Sequence, residues 1–185
     1  MEEKIEIKKQ IEKRLLKEVF LVELGLDINA YKDKLIEEID KSVESNRNNN
    51  FKTNVKGKMT PWGHFIENEY FVKIIKTVFK KISNMKITPN LSVIVSDAWG
   101  IKIEGQEHTK EHAHETAFMS GVIYLSNTNQ ILNFPELNID IHPKVGSVVL
   151  FSGFLKHGTR NYVFQEPKYA IAFNICDSAF SNQPR

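Results

Sequence analysis

Hydrophobic residues in the first half of the chain recur with the spacing of amphipathic helices. Isoleucines and a leucine four residues apart, among many lysines and glutamates, predict a helix over residues 2–18. A second helix is expected to begin at Asp27 or Asn29, because either side chain can cap it and a shared apolar face follows. That face consists of Tyr31, Leu35, Ile36, Ile39 and Val43.

The third helical segment, residues 66–82, has the most regular pattern. Its apolar stripe comprises Ile66, Tyr70, Phe71, Ile74, Ile75, Val78, Phe79 and Ile82, with lysines on the other face. Such a stripe is expected to form core against a sheet. Between the helices, residues 20–24 form a β-prone run, whereas the polar residues 46–61 predict a long loop. That loop is interpreted either as a lid over a site or as disorder.

After Pro89 the hydrophobic period changes from the 3.6 of helices to the 2 of strands. Candidate strands cover residues 91–96, 99–104, 117–125, 130–134, 138–141, 147–152, 161–164 and 169–176. Helices followed by a dense run of strands predict an α+β fold, a mainly antiparallel barrel or double sheet buttressed by N-terminal helices. We expect a single domain over residues 1–185, with a mainly helical buttress and one strand in 1–90 and the β core in 91–176.

Composition narrows the expected partners and location. The 185 residues, 41% hydrophobic and 26% charged, fit one globular core. The net charge of +2 is too small to predict duplex nucleic acid as a partner. The chain has no apolar run near the roughly 18 residues of a membrane span, no apolar signal core and only one cysteine, Cys176. We therefore expect a cytoplasmic protein without a membrane partner, whose oligomeric state stays open.

The histidines are the strongest candidates for chemistry. Two of the six occur in the run His112-Ala113-His114. Residues two apart on a strand project to the same face, so both imidazoles can enter one cavity and chelate a metal ion. His157, which follows the predicted strand 147–152 and a short turn, is the best third ligand. The alternative is that the pair lies on the wet face of an exposed strand.

If a strand continues from His114, the residues that share its face are largely apolar. Such a face favours the interior of a barrel over its exterior. The residues of that face are Phe118, Ser120, Val122 and Tyr124. The remaining histidines, His64, His108 and His142, are interpreted as surface or hydrogen-bonded residues. Trp62 and Trp99 are candidates for lining the mouth of the site.

These residues belong to a longer, ordered set of motifs over about residues 91–176. The set comprises Trp99-Gly100, His112-Ala113-His114, Ser120-Gly121-Val122-Ile123-Tyr124-Leu125, Leu132-Asn133-Phe134, residues 143–146, Val149-Leu150-Phe151, His157, Asn161 and Ile171-Ala172-Phe173-Asn174. It resembles the 2-oxoglutarate- and Fe(II)-dependent oxygenases, most closely their small microbial and phage-associated branch. The resemblance implies a double-stranded β-helix, also called a jelly roll or cupin-like barrel, with iron at its open mouth.

The resemblance also implies a ligand set and a reaction. The family holds Fe(II) with three protein ligands, consumes 2-oxoglutarate and O2, and releases succinate and CO2 while oxidising a C–H bond. His112 matches the first ligand and His157 the distal one, and His114 stands where most members have an acid. Glu111 and Glu115 are the alternative ligands, although a regular strand turns both away from the face of the histidines.

The distal carboxylate of 2-oxoglutarate is expected at the last long strand. The family shows Arg-x-Ser there, whereas this chain has Lys168-Tyr169-Ala170. Lysine still neutralises a carboxylate, but as a point charge instead of a bidentate fork. Arg160, three residues after His157, is the rival cation, and Tyr124 is the candidate hydroxyl partner of the same carboxylate.

Two classes of function follow. The first is a dioxygenase that hydroxylates an unidentified small-molecule or peptide/protein substrate. The second is a non-oxygenase, cupin-like metal- or ligand-binding module, which the departure at Lys168 keeps open. A third possibility retains the three imidazoles but uses another metal, since zinc and nickel also favour imidazole.

Overall fold

The computed structural model describes residues 19–45, 53–85 and 92–178, together with the backbone of residues 6–8. In this part of the chain the α-helices are α1, Lys32–Ser45, and α2, Glu69–Asn84, and a short 3-10 helix covers Pro135–Leu137. The strands are β1 Glu6–Lys8, β2 Leu21–Gly25, β3 Lys58–Met59, β4 Val93–Ile103, β5 Met119–Tyr124, β6 Leu132–Phe134, β7 Ile139–Ile141, β8 Ser147–Ser152, β9 Gly158–Thr159 and β10 Lys168–Asp177.

The strands form two antiparallel sheets. Seven strands make the larger sheet in the order β1-β2-β8-β5-β10-β4-β3, and three make the smaller one in the order β7-β6-β9. Spatial neighbours such as β2 and β8, or β10 and β4, are far apart in the sequence because the chain crosses between the sheets, as in a jelly roll. The predicted α+β, jelly-roll fold with helical buttress is therefore confirmed.

Alternation along the strands of the larger sheet separates a helix-side core from an inner core. On β8, Val148 and Leu150 pack on the helix side, whereas Val149 and Phe151 pack between the sheets with residues of β6. Alternate residues of this continuous apolar run thus pack into two cores, one on each face of the strand.

Helix α1 lies close against β4. The space where a Cβ on Gly100 would lie is taken by the side chain of Ile39, 2.5 Å away, so glycine permits this approach. Asp40 ties the same helix to two strands, since it accepts hydrogen bonds from Lys102 Nζ at 2.8 Å and from the Tyr169 hydroxyl at 3.0 Å. These contacts fix α1 over strands β4 and β10.

Helix α2 begins later than predicted. Its N-cap is Asn68, whose Oδ1 accepts from the amides of Tyr70 at 3.0 Å and Phe71 at 3.1 Å. Ile66, the first residue of the predicted stripe, precedes the helix and is 36% exposed. The cap, which satisfies otherwise free amides, decides the start over the apolar spacing.

Two strand predictions were wrong in detail. The predicted strands 91–96 and 99–104 are one continuous strand, β4. Residues 161–164 form no strand, and β9 lies just before them instead. Their alternation serves loop packing, since the rings of Tyr162 and Phe164 contact each other at 5.0 Å and the Phe164 amide donates to the Gly105 carbonyl.

The prediction for the N-terminal segment was also wrong where the structure describes it. Residues 6–8 form β1, because their backbone extends the edge of the sheet at β2. The rest of the predicted helix 2–18 lies outside the described residues, as do residues 46–52 of the predicted loop. Later in that loop, Lys58–Met59 pairs with β4. Neither described helix is long and apolar enough to cross a membrane.

We predict that Ile39→Ala lowers the free energy of unfolding by about 2–4 kcal/mol. The Ile39 side chain is fully buried, so its truncation leaves a cavity beside Gly100. Chemical denaturation measures the change. Glu44→Ala, at an exposed position of the same helix, is the control and should change it by less than about 0.5 kcal/mol. Equal effects of the two substitutions would show that α1 does not pack on β4 as described.

Candidate metal centre

The backbone segments that carry His112 and His157 are hydrogen-bonded to each other. Each residue's amide donates to the other's carbonyl at 2.9 Å, which forms an isolated antiparallel bridge. Directly opposed residues in such a bridge present their side chains on the same side. The two ring centroids consequently lie 4.4 Å apart, although the residues are far separated in sequence.

His114 reaches the same place from an irregular segment and not from a strand, on which the same-face argument for the histidine pair relied. Its amide donates to the Gly153 carbonyl at 2.7 Å, and its carbonyl accepts from the Ala117 amide at 2.9 Å. The turn that this closes ends before β5 begins at Met119. The chain therefore changes direction directly after the histidine pair.

This turn limits the face predicted from parity. Phe118 packs against the helix-side core. Ser120, Val122 and Tyr124, which belong to β5, line the inner cavity as expected. The alternation thus holds within the strand and fails across the turn.

The three imidazoles converge on one point. One ring nitrogen from each of His112, His114 and His157 lies within 4.8 Å of the others, and in the described part of the chain these residues form the one cluster of this kind. The Nε2 atoms of His112 and His114 are 3.2 Å apart. This spacing is short enough for all three nitrogens to contact a single cation.

Backbone carbonyls select the tautomer of two rings. His112 Nδ1 lies 2.8 Å from the Lys110 carbonyl, and His157 Nδ1 lies 3.0 Å from the Leu155 carbonyl. A carbonyl oxygen only accepts, so each Nδ1 carries the proton and each neutral ring keeps its lone pair on Nε2. The lone pairs needed for coordination therefore point into the cluster.

Burial keeps these imidazoles neutral. Desolvation is the main cause that lowers the pKa of His114 to about 4 and that of His157 to about 3, and it also lowers the pKa of His112. The proximity of His112 lowers the pKa of both neighbours further, whereas the Asp97 carboxylate opposes the shift at His114. Neutral imidazole is the form that binds metal.

The cluster lies in a cavity between the two sheets. The cavity encloses about 560 Å³ of space free of protein atoms, its open side included. Its wall is mainly apolar and includes Val55, Trp99, Ile101, Val122 and Phe151. Ala170 and Ala172 of β10 also face it, and their small side chains leave the inner face of the sheet unfilled.

A lysine is buried in the same cavity. Lys168 is 4% exposed, and burial lowers its pKa to about 7. Lys168 begins β10 and lies opposite Ile103 of β4. The histidine cluster approaches the sheet farther along β4, near Trp99, whose ring lies 6.2 Å from that of His114. The cation and the three imidazoles are thus offset along the same inner face.

Two neutral side chains contact this lysine. Lys168 Nζ donates to Gln130 Oε1 at 2.7 Å and lies 5.4 Å from the centroid of the Tyr124 ring. Tyr124 is fully buried, and burial raises the pKa of its phenol. The tyrosine therefore remains a protonated donor.

The structure does not bring the rival residues to the cavity. The Arg160 guanidinium pairs with Asp140 at 2.6 Å and its side chain is 58% exposed. Glu111 and Glu115 are exposed and lie outside the cavity wall. Sequence proximity to a histidine favoured these residues, but the irregular loops turn their side chains outward.

Sequence reasoning missed Gln130. It falls at the start of a predicted strand, where a polar residue gives no periodic signal. The structure buries it to 1% exposure, with both ends of its amide hydrogen-bonded. Only the fold brings it beside Lys168, which is 38 residues away.

Several solved structures share this fold. A viral collagen prolyl hydroxylase from Paramecium bursaria Chlorella virus 1, in complex with 2-oxoglutarate, superposes with a TM-score of 0.65 at 16% identity, over 84% of this chain and 94% of that chain. HygX from Streptomyces hygroscopicus, with iron bound, gives 0.60 at 11% identity, over 89% and 84%. The α-ketoglutarate-dependent epimerase SnoN from nogalamycin biosynthesis gives 0.63 at 11% identity, over 89% and 84%.

No protein-family model matches the sequence, and no curated protein matches it. The structural likeness concerns the fold alone, which this chain shares with a protein solved in complex with 2-oxoglutarate and with another solved with iron bound. The fold implied by the sequence resemblance is therefore confirmed.

The metal-free protein should lose stability on acidification in a way that depends on His157. Its folded-state pKa is about 3, whereas an unfolded chain has a histidine pKa near 6.5. Between these values the unfolded chain binds the extra proton, so stability present above about pH 6.5 is lost as pH falls, by at most about 1.4 kcal/mol per unit. Denaturation in the presence of a chelator should show a shallower pH dependence for His157→Gln. Parallel curves would contradict burial of a neutral imidazole.

Gly153→Ala should displace the turn that carries His114. An added Cβ would collide with the Ala117 carbonyl oxygen and lie 2.7 Å from that of His114. We expect zinc affinity to fall by about tenfold or more, measured by competition with a chromogenic chelator. Gly25→Ala, where an added Cβ meets no atom within 4 Å, should leave it unchanged. Unchanged affinity in both variants would separate the turn from the metal centre.

Proposed function

We propose that the chain is an Fe(II)- and 2-oxoglutarate-dependent dioxygenase that hydroxylates a small-molecule or peptide substrate and releases succinate and CO2. The observation that carries this proposal is the presence, in one apolar cavity, of three converging neutral imidazoles and a buried lysine. The first supports a divalent metal ion. The second supports an anionic cosubstrate beside it.

The donor set fits Fe(II), with His112, His114 and His157 as the ligands. Imidazole suits iron, nickel and zinc, and three protein ligands leave positions for exogenous oxygen donors. When bound, Fe(II) would supply the activation of O2 that is coupled to oxidation of 2-oxoglutarate. The protein's own contribution is to keep the Nε2 lone pairs free, since carbonyls of Lys110 and Leu155 hold the opposite nitrogens of two rings.

Charge favours a dicarboxylate as the cosubstrate. Neutral imidazoles leave the charge of a divalent ion uncompensated, and protonated Lys168 adds a second positive centre in the same cavity. Buried charges are costly unless they are paired. One carboxylate of 2-oxoglutarate can bind at the metal ion and the other at Lys168. Each carboxylate and its positive partner then lower the cost of burying one another.

Lys168 is our candidate for binding the distal carboxylate. It lies four residues along β10 from Ala172. Ala172 lies opposite Trp99 of β4, and the Trp99 ring is next to that of His114. Four residues of strand span roughly 13 Å, which separates the lysine from the metal end of the cavity. The Tyr124 phenol, next to Lys168 and protonated, is the candidate second donor to that carboxylate.

The cavity wall supports a reaction that needs exclusion of water. Apart from the lysine and histidines, the wall is mostly aliphatic and aromatic. A dry site strengthens the electrostatic contacts inside it and protects a reactive species from solvent. Trp62, 41% exposed, packs edge-on at 4.5 Å against Trp99 of the cavity wall, so these two rings are our candidates for contacting the substrate.

Hydroxylation is the outcome that we propose, following the prolyl hydroxylase that superposes on this chain with the highest TM-score of the three. The same fold also carries a protein described as an epimerase. The oxidising centre is common to such reactions, and the pocket decides how the substrate is presented to it.

The test is turnover of 2-oxoglutarate by the iron-loaded protein. We expect succinate formation that requires Fe(II), even without the primary substrate, and its loss by about 100-fold or more in His112→Ala and in His157→Ala. Succinate is measured by mass spectrometry. His142→Ala, which removes an exposed histidine, is the matched control and should retain activity.

Two results would contradict the proposal. Retained turnover in both ligand variants would exclude these histidines from the metal site. Failure of the metal-loaded protein to bind 2-oxoglutarate would instead indicate a non-oxygenase, cupin-like metal-binding module.

A further inference from the structure

Lys168 is held in the cavity by a neutral side chain. Gln130, 1% exposed, accepts a hydrogen bond from Lys168 Nζ at 2.7 Å through Oε1. Burial is the one resolved cause that shifts the pKa of this lysine, and it acts to lower it. The contact is therefore made with a dipole and not with an opposite charge.

The orientation of the Gln130 amide is fixed by its other end. Nε2 donates to the Arg160 carbonyl at 3.0 Å and, more weakly, to the Glu107 carbonyl at 3.4 Å. Because carbonyls only accept, the amide nitrogen has to face them and Oε1 has to face Lys168. The two carbonyls belong to the segments just before His112 and just after His157.

A glutamine has a specific advantage at this position. A lysine ammonium has three N–H donors, and Gln130 takes one, which leaves two for a ligand. The amide oxygen orients the ammonium but leaves its charge uncompensated. A carboxylate in the same place would form an internal ion pair and remove the reason for an anion to bind.

We propose that Gln130 is a positioning residue of the cosubstrate site, which directs the Lys168 ammonium at the distal carboxylate of a 2-oxo dicarboxylic acid without neutralising it. This inference rests on the proposed function. It goes further in assigning to Gln130 the preference for a dicarboxylate over a 2-oxo acid that has only one carboxylate.

The test compares Gln130→Glu with the wild type in zinc-loaded protein, which binds ligand without turnover. Isothermal titration calorimetry is done with 2-oxoglutarate and with 2-oxopentanoate. The second compound has the same chain length, with a methyl group in place of the distal carboxylate. In Gln130→Glu we expect the affinity for 2-oxoglutarate to fall by at least about tenfold, and that for 2-oxopentanoate to change by less than about twofold.

Gln106→Glu is the matched control. It makes the same chemical change and adds the same charge at an exposed position in a neighbouring loop. Both ligands should bind it as they bind the wild type, and all variants should bind zinc equally. Gln130→Met, which removes the amide without adding charge, should weaken 2-oxoglutarate alone by a severalfold factor and tests the proposal if the glutamate variant does not fold.

The outcomes separate this inference from the proposed function. If the wild type binds 2-oxoglutarate and the Gln130 variants bind it equally well, the role of Gln130 is overturned and the dioxygenase proposal stands. Equal loss of both ligands indicates a merely structural role and also overturns it. A wild-type protein that binds zinc but not 2-oxoglutarate overturns both.

Discussion

Two backbone hydrogen bonds between His112 and His157 hold the candidate site together. The contact continues at Thr159, whose amide donates to the Thr109 carbonyl at 3.0 Å and whose hydroxyl accepts from the Thr109 amide at 2.8 Å. The relative placement of the two imidazoles thus depends on main-chain pairing, and the Phe151 ring, 4.4 Å from that of His157, packs against one of them. Main-chain pairing is directional and short-ranged, so it fixes the side chains more narrowly than apolar contacts do. Loops that enter this short ladder can vary, provided that the pairing is kept.

Desolvation is the second constraint, and it favours the uncharged form of the imidazoles, the lysine and the tyrosine that line the cavity. It keeps the three imidazoles neutral and favours the uncharged form of Lys168. A bound metal ion and an anionic ligand reverse this preference for uncharged groups. The metal ion supplies positive charge at the imidazoles, and the anion supplies the negative charge that stabilises protonated Lys168. The cavity is therefore better matched to a metal together with a dicarboxylate than to either alone. Gln130 contributes by orienting the lysine while leaving its charge available.

The sequence predicted the architecture because helical spacing is strong where one face of a helix is buried, and a continuous apolar run such as residues 148–151 marks a strand that is buried on both faces. It also singled out the three histidines that the fold brings together, since a His-x-His pair and one later histidine matched an ordered set of motifs. Predictions failed where backbone contacts compete with periodicity: at β1, at the Asn68 cap and at residues 161–164. Gln130 could not be found, because a single buried amide leaves no periodic trace. Its partner becomes apparent only when the sheets are closed.

Strand β10 shows how one sequence segment serves stability and site volume separately. Its outer face carries Ile171, Phe173 and Ile175, which are fully buried against the helices. Its inner face carries Lys168 and two alanines, which leave space instead of filling it. Large residues on one parity secure the sheet, so small ones on the other can be tolerated without loss of the fold. The cavity can therefore change its volume and polarity through one set of positions while the core is maintained by the alternate set.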